Sequence, residues 1–237
     1  MSIYILVHGA WHGSWCWNKV IPLLEQKGHK VEAPDLPGHG RDKTPLKNVT
    51  FQAYITCILS LLDKQSEPVI LLGHSLGGAI ISQVAEKCPN KIKTLVYLSA
   101  FLLKNGESAT QIHRGDTNSL LVPNMKIDQD RTYCTINNNA IRDIFYSDCS
   151  IEDIKIAESL IDKQAFSPFV TPVRISEENF GQVDRVYIEC LQDMAITTSL
   201  QKKMYSDLGC RRVISLDRSH SPFFSAPEEL VDNLISL

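Results

Sequence analysis

The ten residues Val69-Ile70-Leu71-Leu72-Gly73-His74-Ser75-Leu76-Gly77-Gly78 constrain the fold more than any other stretch. Four uninterrupted apolar residues have the length and character of a short strand buried on both faces. Ala79-Ile80-Ile81 with Val84-Ala85 then reads as a buried helix. Between them lies G-x-S-x-G, centred on Ser75. So abrupt a passage from strand to helix strains the central residue, and side chains two positions to either side would collide. The pattern predicts a turn that presents the Ser75 hydroxyl at the carboxyl edge of a sheet, ahead of a helix N-terminus with free N–H groups. A glycine-rich turn serving packing alone is the competing reading. The placement between apolar strand and apolar helix favours the nucleophile.

Around this turn, strands and helices alternate. Ile3 to Val7 is a continuous apolar run, followed by the small-residue loop His8-Gly9-Ala10-Trp11-His12-Gly13. Trp15, Trp17, Val20, Ile21 and Leu24 have helical spacing, closed by Gly28. Val31-Glu32-Ala33 reads as a short strand before the turn-rich Asp35-Leu36-Pro37-Gly38-His39-Gly40. Phe51, Tyr54, Ile55, Ile58, Leu61 and Leu62 mark an amphipathic helix. Leu95 to Leu98, Val186 to Cys190 and Val213 to Leu216 read as further buried strands, with a helix from Thr197 to Leu208 stopped by Gly209. Ser225-x-x-Glu228 with Pro227 predicts a capping box at the start of a final helix. The alternation predicts an α/β fold with a mostly parallel sheet of about six strands flanked by helices. Residues 101–182 break it. They are polar and mixed, with one helical patch at Ile151, Ile154, Ile156-Ala157 and Leu160-Ile161, and too long for a plain loop. The expectation is a core of residues 1–100 and 183–237 with an inserted, mainly helical cap at 101–182, in one structural domain.

The 237 residues carry a net charge of −3 without a basic run, which argues against nucleic acid and anionic membranes as partners. The first residues lack a basic region and their apolar run is too short for a signal peptide. Seven scattered cysteines without C-x-x-C fit reduced thiols in a cytoplasmic protein.

A serine hydroxyl needs a base within hydrogen-bond reach, and the base needs an orienting carboxylate. On this kind of elbow, acid and base follow the serine in the chain, beyond strand C-termini. That selects Asp193, just past one strand, and His220, just past the next. Asp217 shares a loop with His220 and fits a turn-ordering role. Asp184 precedes its strand, and Asp35 precedes the serine. Of the other histidines, His8 and His74 fit ordering of the loops around Ser75, and His8 with His12 lacks the paired carboxylate of a metal site. A tetrahedral intermediate needs two donors, expected from the backbone N–H of Leu76 and of Ala10.

Val7 to Trp17, the Gly73–Gly78 elbow, Val186 through Asp193 and His220-Ser221-Pro222-Phe223-Phe224-Ser225 together resemble the plant methylesterase and hydroxynitrile lyase branch of the α/β-hydrolases, and its bacterial esterase relatives. The similarity spans nearly the whole chain and is weakest across 101–182. It implies a serine esterase that needs no cofactor and no metal, with Ser75, Asp193 and His220 as triad and Ala10 and Leu76 as oxyanion donors. Hydroxynitrile lyases of this branch carry a threonine in the oxyanion loop and a lysine beside the catalytic histidine. Those positions here are Gly9 and Ser221, which favours an esterase acting through an acyl-enzyme. Trp11, Phe101, Met194 and Phe223 are expected to line the substrate pocket, with Phe145, Tyr146, Phe166 and Phe169 as further aromatic candidates, suiting small-to-medium apolar or aromatic esters. Lyase-type chemistry and a ligand receptor that retains the triad are the alternatives. A small-molecule ester is the expected partner, with an apolar cap face that would support a homodimer.

Overall fold

The structure, a computed structural model, describes residues 1–237. In chain order, the first half gives β1 (Ile3–Val7), α1 (Val20–Gln26), β2 (Lys30–Glu32), α2 (Phe51–Leu62), β3 (Val69–His74), α3 (Gly77–Lys87) and β4 (Ile92–Leu98). The inserted segment holds α4 (Ala109–His113), α5 (Leu121–Asn124), β5 (Met125–Ile127), β6 (Tyr133–Ile136), α6 (Ile141–Phe145), α7 (Ile151–Leu160), β7 (Gln164–Ala165) and α8 (Ser167–Val170). The chain closes with β8 (Arg185–Cys190), α9 (Thr198–Leu208), β9 (Arg212–Leu216), α10 (Pro222–Ser225) and α11 (Pro227–Ile235).

Six strands form one sheet in the order β2-β1-β3-β4-β8-β9. Every neighbouring pair is parallel. β1 and β3 are buried at every position, as strands covered on both faces must be. The register puts Val7, Gly73, Tyr97, Tyr187 and Val213 in one transverse row. The loops after β1, β3, β4, β8 and β9 therefore leave the same edge of the sheet, which brings together residues far apart in sequence. α2 shows how a flanking helix is specified. The Thr50 hydroxyl accepts from Ala53 N–H at 3.1 Å, capping the first turn, and Phe51, Tyr54, Ile55, Ile58 and Leu62 are buried. Each such apolar burial is worth about 1.5–3 kcal/mol. Gly28 and Gly209, both with positive φ, close α1 and α9 as their sequence positions predict.

One expectation is corrected and one is extended. In residues 101–182 helices of four to ten residues dominate, as expected, but a small three-stranded antiparallel sheet, β5-β6-β7, accompanies them. Its strands are two to four residues long, too short for a periodic pattern to announce them; β5 and β6 form a hairpin, and β7 joins from farther along the chain, Ala165 opposite Tyr133. The capping box at Ser225 does not form. Phe223 and Phe224 bury themselves in a separate short helix, α10, which ends at Ser225. Ala226 then takes the cap position of α11, and the Ser225 hydroxyl is buried without a partner.

The inserted segment has its own attachment to the core. Gly106 N–H donates to Val173 carbonyl and Val173 N–H to Glu107 carbonyl, both at 2.9 Å, so the outgoing and returning chains are paired. Glu86 of α3 then accepts from Ser176 N–H at 2.7 Å, the Ser176 hydroxyl at 2.8 Å and the Asn179 amide at 3.1 Å. One apolar cluster runs through both layers, from Leu71 and Ile188 to Phe145, Tyr146 and Phe169. No helix is long and apolar enough to cross a membrane, and all seven cysteines are free thiols.

Candidate active site

Ser75 follows β3 with φ +54, a left-handed conformation rare for a residue with a side chain. The local packing accounts for the glycines around it. A Cβ on Gly73 would lie 2.5 Å from Gly77 carbonyl oxygen, and one on Gly77 would lie 2.8 Å from Val7 carbonyl oxygen. The turn thus presses α3 against both its own strand and β1. Ser75 N–H donates to Leu98 carbonyl at 3.3 Å, and its carbonyl accepts from Phe101 N–H at 3.0 Å and Gly78 N–H at 3.1 Å.

The loop after β1 abuts this turn. A Cβ on Gly9 would meet Ser75 Cβ at 2.8 Å and His74 Nδ1 at 2.9 Å, so only glycine allows the approach. Ala10 N–H and Leu76 N–H, on the two sides of Ser75, donate to no other group of the chain. Three histidines hold the surroundings. Leu36 N–H donates to His8 Nε2 at 3.1 Å, so the proton sits on Nδ1, which donates to Gly9 carbonyl at 2.8 Å. His12 Nδ1 donates to Ala10 carbonyl at 2.7 Å, and its Nε2 accepts from the Tyr146 hydroxyl at 2.5 Å. His74 Nε2 donates to His220 carbonyl at 2.9 Å. Burial pushes His8 and His12 down to about 3 and His74 well below the usual imidazole range, so all three are neutral dipoles near neutral pH.

Past β8 and β9, the structure brings Asp193 and His220 together. His220 Nδ1 donates to Asp193 Oδ2 at 2.7 Å, with both side chains sealed from solvent. The rest of the carboxylate is also served. Oδ1 accepts from Ala195 N–H at 2.6 Å and Ile196 N–H at 3.0 Å, and Oδ2 accepts from the Gln201 amide at 3.3 Å. The Ser99 hydroxyl donates to the same Oδ2. The other acids are engaged elsewhere. Asp217 accepts from the Gln192 amide, Asp184 pairs with Arg211, and Asp35 accepts from Ser14 N–H and Arg41.

Two contributors escaped the sequence reading. Ser99 lies just after β4 with φ +43, and only the sheet register puts it opposite Asp193. Asp148 of the inserted segment accepts from Ser219 N–H at 3.1 Å and from the Ser219 hydroxyl, fixing the residue before His220. The Phe145 ring stands 5.6 Å from the His220 ring.

Trp11 sits at φ +61, with its indole N–H donating to Cys134 carbonyl and its backbone N–H to Gln164. Phe101 packs edge-on to His113, and Phe223 is fully buried among Trp17, His74 and Phe224. Met194 is half-buried, its carbonyl accepting from Leu120 N–H. None of these four lines the cavity of about 240 Å³ in the inserted segment, whose walls include Leu121, Met125, Phe166 and Phe169. Ser75 is 8% exposed and His220 1%, so the inserted segment and the loop after β1 close over the centre.

The alpha/beta hydrolase family model matches residues 4–233. A pyrethroid hydrolase of Sphingobium wenxiniae is 35% identical over 96% of this chain and 84% of its own. Putative methylesterase 15 of Arabidopsis thaliana, a chloroplastic protein, is 33% identical over 99% of this chain. The chain spans 56%, 63% and 55% of the lengths of Arabidopsis putative methylesterases 15, 11 and 13. Among solved structures, a pyrethroid hydrolase from Sphingobium faniae superposes with a TM-score of 0.89 at 32% identity, covering 99% of this chain and 96% of that one. A polyneuridine aldehyde esterase variant superposes with a TM-score of 0.89 at 26% identity, covering 99% and 98%.

Proposed function

The chain belongs to the alpha/beta hydrolase family, and from that premise we propose that it hydrolyses carboxylic esters, with Ser75 as nucleophile, His220 as base and Asp193 as orienting acid. The observation that carries the reading is the buried Asp193–His220 pair, with His220 carbonyl tied to His74 beside a Ser75 held at φ +54.

In the proposed cycle, His220 Nε2 takes the hydroxyl proton as Ser75 Oγ bonds to the ester carbonyl carbon. The carbonyl oxygen becomes an oxyanion facing the uncommitted N–H groups of Ala10 and Leu76. Collapse breaks the bond to the alkoxy oxygen, and imidazolium hands its proton to the leaving alcohol. Water then attacks the acyl-enzyme by the same route, releasing the acid and restoring Ser75. Asp193 keeps Nδ1 protonated throughout, leaving Nε2 free to act as acceptor. The relatives' names, pyrethroid hydrolase and methylesterase, support an ester substrate. The aromatic side chains around the centre suit small-to-medium apolar or aromatic acyl groups. Residues 101–182 act in this reading as a cap that excludes water from the acyl-enzyme.

The test is hydrolysis of p-nitrophenyl butyrate by the wild type and Ser75→Ala, with melting curves to confirm that both are folded. The expected loss in the variant is on the order of 10⁴–10⁶ in kcat. Equal turnover by the two proteins removes Ser75 from the mechanism.

A further inference from the structure

The 240 Å³ cavity of the inserted segment combines apolar walls with a charged rim. Leu121, Met125, Phe166 and Phe169 give it apolar walls, while Arg114 and Arg131 stand at its exposed rim. The arginine ion pairs of the chain use Arg41, Arg211 and Arg218, and neither rim guanidinium has a carboxylate within 4.0 Å. Arg131 is stacked over the Phe166 ring at 5.1 Å, which holds its charge over the opening. Asp116, in the adjoining depression, already accepts from Thr197 N–H and hydroxyl. The net charge is −3, so the protein is not generally basic.

The cavity lies one aromatic layer from the proposed nucleophile. Phe169, in its wall, packs 5.3 Å from Trp11, which follows Ala10 in the loop beside Ser75. His113, also in its wall, packs 5.7 Å from Phe101, whose N–H donates to Ser75 carbonyl. Its volume falls below the roughly 300–1,000 Å³ of pockets that take a whole drug-sized ligand. It fits one arm of a substrate, not the whole.

We propose that this cavity receives the acid arm of an ester bearing a second, free carboxylate, namely a monoester of a medium-chain dicarboxylic acid. The apolar walls take the methylene chain, and the Arg114 and Arg131 guanidiniums take the terminal carboxylate, a match of planar fork to anion. The ester end then lies toward Trp11 and Phe101. This substrate class rests on the ester-hydrolase reading above, and the experiment separates the two.

The measurement is kcat/KM for monomethyl suberate and for methyl octanoate, with the wild type, Arg114→Gln/Arg131→Gln and Arg114→Lys/Arg131→Lys. p-Nitrophenyl butyrate serves as the neutral control for esterase activity. The wild type is expected to favour the monoester at least tenfold. The glutamine variant is expected to lose that preference, and the lysine variant, which keeps the charges, to retain part of it. An unchanged preference in the glutamine variant, with p-nitrophenyl butyrate still hydrolysed by the wild type, overturns the cavity assignment and leaves the esterase reading intact. If the wild type turns over no ester, the esterase reading falls, and the melting shift with suberate decides the cavity. A saturable shift abolished by the glutamine substitutions sustains a carboxylate site, and the absence of a shift overturns it.

Discussion

The Tyr146 hydroxyl donates to His12 Nε2 at 2.5 Å, and the opposite nitrogen of that imidazole donates to Ala10 carbonyl at 2.7 Å. A residue of the inserted segment thus orients the loop that supplies one proposed oxyanion donor. All three residues are buried. Tyr146→Phe removes the first donor with little change in volume. The expected result is a drop in kcat of about tenfold with KM nearly constant, and a stability loss of about 1–3 kcal/mol from the unpartnered Nε2. Steady-state kinetics and urea unfolding measure both. An unchanged kcat alongside the lowered stability restricts Tyr146 to a structural role.

Ser99 donates to the same Asp193 oxygen as His220, from a backbone at φ +43. Removing the hydroxyl takes one donor from a buried carboxylate, worth about 1.5–3 kcal/mol for a charged partner. Ser99→Ala and Ser99→Gly should therefore lower kcat alike, by roughly tenfold. They should differ in melting temperature, with glycine higher, because the left-handed backbone is strained for alanine but not for glycine. Equal melting temperatures would contradict the strain argument, and a normal kcat in both would contradict the positioning one.

Asp148 reaches out of the inserted segment to fix Ser219, the neighbour of His220. Asp148→Asn keeps the shape but loses the charge-assisted character of both bonds. The expected outcome is a several-fold fall in kcat with Ser75 labelling by an organophosphonate slowed in parallel. Unaltered labelling kinetics would show that the His220 loop holds itself.

Burial lowers His8 and His12 to about 3 and His39 to about 4. The unfolded chain binds protons at these sites below pH 6.5, the ordinary histidine value, while the folded chain does not. Their neutral burial therefore costs nothing above pH 6.5 and destabilises the fold progressively as pH falls. Each group lowers the folding equilibrium constant about tenfold per pH unit between 6.5 and its own folded value. Urea midpoints at pH 7, 6 and 5 should fall steeply, and His39→Gln should flatten the slope. A midpoint independent of pH over that range contradicts the assignment.

The proposed triad is legible in the sequence where it depends on chain order. Ser75 is marked by its flanking glycines, and Asp193 and His220 by their places beyond apolar strands. α2 follows from its apolar spacing, and the end of α9 from Gly209, which acts locally. What stayed hidden is set by register. Nothing about a serine after β4 marks Ser99, because its partner is brought to it by the pairing of Leu98 with Ile188. Asp148 is an ordinary polar residue until the inserted segment folds back to Ser219. The β5-β6-β7 sheet escaped because strands of two to four residues carry no period, and tertiary pairing overrode local preference. The Ser225 capping motif misled because burial of Phe223 and Phe224 outweighed a single side-chain cap.

The paired chains at Gly106, Glu107 and Val173 have a consequence for how such a protein diversifies. Because the segment leaves and re-enters the core at one point, and Glu86 pins the returning chain to α3, everything between is a closed excursion. Closing a longer or shorter excursion between the same two anchors changes the entropy only logarithmically, about 0.6 kcal/mol for each doubling. Excursions of other lengths can thus close on the same two anchors, provided they still present a hydroxyl to His12 and a carboxylate to Ser219, as Tyr146 and Asp148 do.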